Sequence, residues 1–338
     1  MPGPPKPTLK AIATLAGVSQ ATVSRVLNDK GPVAEGTHQK VLDAVRALGG
    51  GAPRPIIGIL VPDLSNQFFA RLSFHLQTLL LKRGYLPVVL ATHVVPGTNP
   101  LAPDLFLATD AVGVVHAAVD DVSDVAIADS VRGDLPMVLF AEVRSSGNAD
   151  FISVDSAAAM LAAVHHLYDL GHEHVAFVEG IPAAQTAIER LRSFLAAAAE
   201  LSLRVQRIRG GYTFDGGIQA AKQIMAQPVP HRPTAVVAAN DEMAFGAIQA
   251  FGGAGVDVPG EVSVVGYDNT PFARWTHPSV ASVAPHRSAL ADRAVTLLLR
   301  RIEAVAETPS GRWPVPSHEA IPALYHSEGR TSVGPAPQ

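Results

Sequence analysis

The sequence contains no cysteine. Disulfides, thiolate zinc sites and a cysteine nucleophile are therefore excluded, and the composition agrees with a reducing compartment. Charged residues are scarce at 17% and aromatic ones at 6%, against 48% hydrophobic residues. Sizeable cores are affordable on that composition and long disorder is not expected. No uncharged apolar run is long enough to span a bilayer. The opening MPGPPKPTLK has no hydrophobic stretch of signal-peptide length, so a soluble cytoplasmic protein without export or membrane insertion is expected. Also missing are a G-x-S-x-G elbow, a phosphate-binding G-x-x-x-x-G-K-[ST] and a G-x-G-x-x-G turn. No pair of groups stands out as acid and base, so neither catalysis nor a bound cofactor is expected.

A chain of 338 residues suits two or three domains. Its charge is uneven. Residues 1–56 carry seven Lys or Arg against three acids, whereas the remainder carries 19 against 27. A basic head on an acidic body fits a nucleic-acid module joined to something else.

Within that head, Thr8 is placed to cap a first helix with Leu9, Ile12, Ala13 and Ala16 on one face. Gly17 supplies the positive φ that ends it. Ser19 is placed to cap a second helix, Gln20 to Leu27, whose Val23, Val26 and Leu27 point inward. A third helix, about Glu35 to Leu48, offers Val41, Leu42, Val45 and Leu48. Two helices across a tight glycine turn, closed by a third, make a helix-turn-helix. Arg25 suits guanine and Gln20 suits adenine, at roughly 1–3 kcal/mol of discrimination each. Thr22, Ser24 and backbone amides suit phosphates. The plainer alternative is a small helical bundle that touches protein.

The string AGVSQATVSRVLN, within TLKAIATLAGVSQATVSRVLNDKGPVAEGTHQKVLDAVRALG, resembles the headpiece of the LacI/GalR (lac-repressor-like) family of bacterial transcriptional regulators. The resemblance implies a DNA-facing set of Thr8, Ser19, Gln20, Ala21, Thr22, Ser24, Arg25 and Asn28, with Gln20, Ala21 and Arg25 at base-reading positions. Ala21 departs in substance, since it can touch only a thymine methyl. Ala11 replaces the usual acid of the first helix, and Ala34 stands where a serine usually caps the third. After Leu48 comes GGGAPRP, residues 49–55, too rich in Gly and Pro for a helix. Relatives place about a dozen more residues here, as a hinge helix that wedges the minor groove. This chain has no room for it.

From Ile56 onward, apolar β-rich runs (Ile56–Val61, Leu86–Ala91, Val112–His116, Met137–Phe140, Val175–Glu179, Val205–Ile208, Ala235–Ala239, Val262–Tyr267) alternate with helical patterns. That alternation means α/β architecture with doubly wound, parallel sheets. GILVPDLSNQFFARL, PTAVVAANDEMAFGAIQAFGGAGVDVP and VSVVGYDNTPFARW resemble a two-lobed periplasmic-binding-protein type I fold. The resemblance implies crossings near Ser153, Ser282 and Pro309. The expected segments are a headpiece at 1–48, a linker at 49–55, a first lobe at 56–152 and 283–308, a second at 153–282 and 309–330, and a tail at 331–338. Residues 92–110, with three prolines, interrupt a helix that relatives make.

Asn240, Asp268 and Arg190 are residue types that bond adjacent hydroxyls, two at strand ends. The resemblance makes all three effector contacts, with Phe68, Phe69 and Tyr212 as cleft aromatics; Asn66, in SNQFF, either bonds the ligand or forms a turn. The competing readings are a helix cap for Asn240, a turn former for Asp268 and core packing for the aromatics. Ala141 stands where many relatives carry a cleft aspartate, with Glu142 as a substitute. Trp275 is expected to pack rather than to shape the cleft mouth. The pairs His165–His166 and His172–His174 have poor geometry and no third ligand, so no metal is expected. The sum is a ligand-responsive repressor. A homodimer would present two headpieces to a pseudo-palindromic double-stranded DNA operator, under control of a sugar or sugar derivative between the lobes. The rivals are a cytoplasmic sensor that has lost standard operator binding and a solute-binding receptor.

Overall fold

The computed structural model describes residues 8–28, 31, 33–48, 54–91, 110–117, 135–140, 149–182, 184–307, 315–328 and 330–337. The chain divides into two compact units, Met1–Pro55 and Ile56–Gln338.

The first unit holds α1 (Leu9–Ala16), α2 (Gln20–Leu27) and α3 (Glu35–Ala47). The Thr8 hydroxyl accepts from the Ala11 amide, Gly17 ends α1 at φ 66°, and the Ser19 hydroxyl accepts from the Thr22 amide. Local chemistry thus starts and stops both helices. Ile12, Ala13, Val23, Val26, Val41, Ala44 and Val45 form the core. Leu27, expected to point inward, is 42% exposed, and Leu9 and Leu48 are exposed as well. Each lies at a helix end, beyond the reach of so small a core.

The second unit is built on β1 (Ile56–Val61), β2 (Leu86–Ala91), β3 (Ala111–His116), β4 (Met137–Phe140), β5 (Ala149–Asp155), β6 (His174–Glu179), β7 (Arg204–Arg209), β8 (Ala235–Ala238), β9 (Ser263–Tyr267), β10 (Ala281–Pro285) and β11 (His318–His326). Its helices are α4 (Gln67–Lys82), α5 (Ala157–Asp169), α6 (Gln185–Glu200), α7 (Phe214–Met225), α8 (Asp241–Gly253), α9 (Pro271–Trp275) and α10 (Arg287–Glu307). The strand order is β2-β1-β3-β4-β5-β11-β10-β9-β8-β6-β7. All pairings are parallel except β10 with β11. Among the described residues, three cores result. One gathers β1, β3 to β5, α4 and α10; a smaller one, with Leu60, Val114, Met137, Leu139 and Phe151, lies among the same strands; the third gathers α5 to α8 and β6 to β10.

β11 joins the halves. His318–Pro322 pairs with β5, and Ala323–His326 with β10. The third passage therefore falls at Pro322–Ala323 rather than near Pro309, which lies outside the described residues, as do 92–109, Ala141 and Glu142. The Gly/Pro run at 308–316 reads as a linker by composition. The change of sheet is made instead by strand register, which composition does not report. A buried ion pair fastens the same region: Arg301 on α10 donates to both Asp150 carboxylate oxygens, at 2.9 and 2.7 Å, and the Ser317 amide donates to Asp150 at 2.7 Å.

Residues 331–337 are not a loose tail. Ser332 is fully buried, donating to the Val264 carbonyl at 2.6 Å and accepting from the Ala281 amide at 3.0 Å. The Gly334 carbonyl lies 3.0 Å from His172 Nε2. A carbonyl only accepts, so Nε2 carries the proton and Nδ1 accepts from Thr234 Oγ1 at 2.9 Å. Burial holds this imidazole below its ordinary pKa, which keeps it neutral. His172 is thus a buried structural bridge.

Helices α7 and α8 touch backbone to backbone. A Cβ on Gly246 would lie 2.0 Å from the Phe214 carbonyl oxygen, and one on Gly217 2.1 Å from that of Met243. Gly246→Ala is expected to lower stability by about 2 kcal/mol through this overpacking, seen as a reduced urea midpoint with an unchanged m-value.

Candidate functional site

A cavity of about 360 Å³ lies between the two halves of the second unit. Its walls come from the carboxyl ends of strands. β1 leads into Pro62 and Asp63, β4 contributes Phe140, β5 contributes Ser153, β7 leads to Tyr212, β8 to Asn240 and β9 to Asp268. Strand ends of parallel sheets are where ligand sites form, and this volume falls in the small-molecule range.

Arg190, on α6, is 8% exposed. It donates from Nη1 to the Ala239 carbonyl at 2.5 Å and from Nη2 to Asp268 Oδ1 at 3.2 Å. Its guanidinium lies 3.6 Å from the Tyr267 ring centroid. Burial works against its charge, but Asp268 foremost among its neighbours more than offsets that and leaves its pKa raised. Asp268 is 4% exposed and holds φ 99°, a conformation stored at sites that use it. Tyr212, at φ 66°, lays its ring over Gly180, and its carbonyl accepts from Asn240 Nδ2 at 2.9 Å. Asn240 also caps α8, its Oδ1 accepting from the Met243 amide at 2.9 Å. Asn66 caps α4 in the same way, through the Phe68 amide. Both asparagines are therefore helix caps as well as cavity walls. Phe68 is buried in the first half's core, while half-buried Phe69 meets it edge to face, with centroids 5.3 Å apart. The cavity thus brings together all seven expected cleft residues, Asn66, Phe68, Phe69, Arg190, Tyr212, Asn240 and Asp268.

It also enlists residues that the sequence reading passed over: Asp63, Thr186, Glu189, Thr213, Glu242 and Tyr267. Glu189 accepts from the Ser156 and Ser193 hydroxyls, and Ser156 meets the Tyr267 hydroxyl at 2.5 Å. The adjacency of Glu189 to Arg190 and of Tyr267 to Asp268 was the available signal. Trp275, expected to pack, is instead 69% exposed, edge to face with Phe272 at 5.7 Å. The short helix α9 leaves it no core to enter.

Beneath the cavity floor, Asp241 accepts from the Thr270 amide (2.6 Å), the Thr270 hydroxyl (2.9 Å) and the Ser282 hydroxyl (2.7 Å). Burial, and next the Asp268 carboxylate, push its carboxyl up to about 7 against these bonds. A carboxyl raised on folding binds more protons in the folded state between its unfolded value and about 7. Its stabilising contribution is complete below the unfolded pKa and is lost as pH rises through the folded one. Between pH 5 and 7.5, Asp241→Asn is expected to flatten the fall of the urea midpoint with pH. A slope equal to the parent's would contradict the assignment.

In the first unit, Gln20, Ala21 and Arg25 are exposed on α2. Ser19 Oγ and Thr22 Oγ1 are 2.8 Å apart at its start, and Asn28 Nδ2 donates to the Ser24 carbonyl at its end. Thr8, Ser19 and Asn28 are thus occupied in shaping helix ends. The Gln20 and Arg25 side chains are exposed and make no side-chain hydrogen bond among the described residues.

A groove-sized helix-turn-helix ahead of an α/β body with an interlobe cavity defines a class: transcriptional regulators that answer to a small molecule. The comparisons narrow it. Residues 8–49 match the model for bacterial regulatory proteins of the lacI family, and residues 164–322 match a periplasmic binding protein-like domain. The HTH-type transcriptional regulator MalR of Streptomyces coelicolor is 33% identical over 332 residues, spanning 93% of each chain. The chain belongs to the lacI family of bacterial regulatory proteins and is a transcriptional regulator. Among solved structures, the lac repressor dimer bound to operator and the anti-inducer ONPF matches with TM-score 0.75 at 23% identity, covering 98% of this chain and 100% of that one. A LacI family regulator from Enterococcus faecalis with bound ribose matches with TM-score 0.68 at 26% identity, covering 83% and 99%. Among the described residues, no helix is long and apolar enough to cross a membrane.

Proposed function

We propose that this chain is a cytoplasmic, sugar-responsive repressor acting as a homodimer on a pseudo-palindromic operator. The carrying observation is the buried Arg190–Asp268 pair between Tyr212 and Tyr267 in the cavity. Carboxylate, guanidinium and carboxamide groups beside aromatic rings bind vicinal hydroxyls along their edges and sugar faces by stacking. The ribose complex of the Enterococcus faecalis regulator supports a sugar here. The proposed segments are the headpiece at 1–48, the linker at 49–55, two lobes that exchange the chain, and a terminal strap. Gln20, Ala21 and Arg25 read bases, while Thr8, Ser19, Thr22, Ser24 and Asn28 position the backbone.

The seven-residue linker reaches at most about 25 Å and contains no hinge-helix sequence. Operator recognition then rests on the major groove, and control rests on headpiece spacing. The same linker favours a second reading, a sensor without standard operator binding. The test is a thermal-shift screen of the full chain with ribose, glucose, maltose and cellobiose, since a ligand selective for the folded state raises its melting temperature. A gel-shift assay on an in vitro selected operator accompanies it. No shift with any sugar would defeat the effector reading. A hypersensitive, kinked step at the operator dyad would defeat the linker reading.

A further inference from the structure

We propose that Arg287 is the positioning residue that carries the state of Asp268 from one half of the body to the other. The proposal rests on Asp268 being an effector contact, as argued above. Asp268 and Asn269 are consecutive non-glycine residues at φ 99° and 44°. So unusual a segment persists only when its surroundings over-determine it. Its amide side is held by its own half. The Asp268 amide donates to the Val283 carbonyl at 2.7 Å, the Asn269 amide to Ser282 Oγ at 2.9 Å and the Thr270 amide to Asp241 at 2.6 Å. Its carbonyl side is held by one guanidinium: Arg287 Nη1 donates to the Asp268 carbonyl, and Nη2 donates to the Asn269 carbonyl at 3.1 Å.

Arg287 opens α10, and α10 belongs to the other half. Leu290, Ala291, Ala294, Val295 and Leu298 lie in the core shared with β1 and α4. Arg301, farther along α10, is locked to Asp150 on β5. The guanidinium therefore bridges a strained, cavity-lining loop of one half to a helix packed rigidly in the other. A ligand that turns Asp268 must move these two carbonyls. They must then draw on α10 or let go of it. Arginine suits the role, since its planar fork spans adjacent acceptors as an ammonium does not.

The experiment exploits the absence of native cysteine. Lys82→Cys and Asp215→Cys, both at exposed positions on opposite halves, are labelled for single-molecule energy transfer in the full chain. Asp268→Asn, Arg287→Ala and the double variant complete a cycle. Asp268→Asn is expected to shift the transfer efficiency. Adding Arg287→Ala is expected to shrink that shift by about threefold or more; a contact that only stabilises the loop couples the two variants in stability but leaves the shift in distance between the halves in place. Arg287→Gln reads the same cycle should the alanine variant fail to fold. Equal shifts in both backgrounds, or no shift from Asp268→Asn in the parent, overturn the proposal. The measurement needs neither sugar nor DNA. A failed sugar screen and a failed cycle are therefore separate results.

Discussion

Asp268→Ala is expected to abolish any sugar-dependent rise in melting temperature and to destabilise the body by about 3 kcal/mol, the low end for breaking a buried ion pair. The side chains of the pair are 6% and 9% exposed. Alanine leaves the Arg190 charge buried without its carboxylate, beside the Ala239 carbonyl and the Tyr212 and Tyr267 rings. The low end applies because the cavity admits water. Alanine also inherits φ 99°, which its Cβ disfavours. Asp268→Gly separates the two causes, since it removes the carboxylate and relieves the backbone. Asp268→Asn keeps an acceptor and is expected to recover much of the stability without the sugar response. Urea unfolding beside the thermal-shift screen resolves all three. A parent-like sugar response in Asp268→Ala would remove the cavity from consideration.

Arg25→Ala is expected to weaken binding to a selected operator by roughly 30-fold or more for the proposed dimer, taking about 1–3 kcal/mol for each of two base contacts, about 2–6 kcal/mol in all. Binding to unrelated DNA falls far less, because phosphate contacts supply most of that affinity. Gel-shift titrations over a salt series measure both. Val23 and Val26, not Arg25, fill the headpiece core, so circular dichroism of the variant is expected to match the parent. Equal losses on selected and unrelated DNA would mean that Arg25 is a phosphate contact. Salt-labile binding without sequence preference in the parent would favour the sensor reading over the repressor.

Some features were legible because they are local. The caps Thr8 and Ser19, the glycine end at Gly17 and the bounds of α2 follow from hydrogen bonds three or four residues apart. Strand ends at Asn240 and Asp268 follow from apolar runs that stop at polar residues. Other features escaped for equally physical reasons. β11 carries a mixed pattern, because it changes neighbours at Pro322 and its exposure alternates. Leu27 obeys helical periodicity, but the core takes its neighbour Val26 and leaves Leu27 at the helix end 42% exposed. The strap at 331–337 has no periodicity at all, and its order comes from Val264, Ala281 and His172.

Spacing along the chain was enough for a helix-turn-helix and a parallel α/β body, because each depends on neighbours a few positions away, whereas the seven cleft residues were marked by the family resemblance and not by any spacing. Folding alone brought Arg287 to the carbonyls of Asp268 and Asn269, Asp241 beneath the cavity and the strap against His172. Those meetings join residues 18 to 162 positions apart, and at such separations contact is set by how sheets and helices pack rather than by any pattern in the chain.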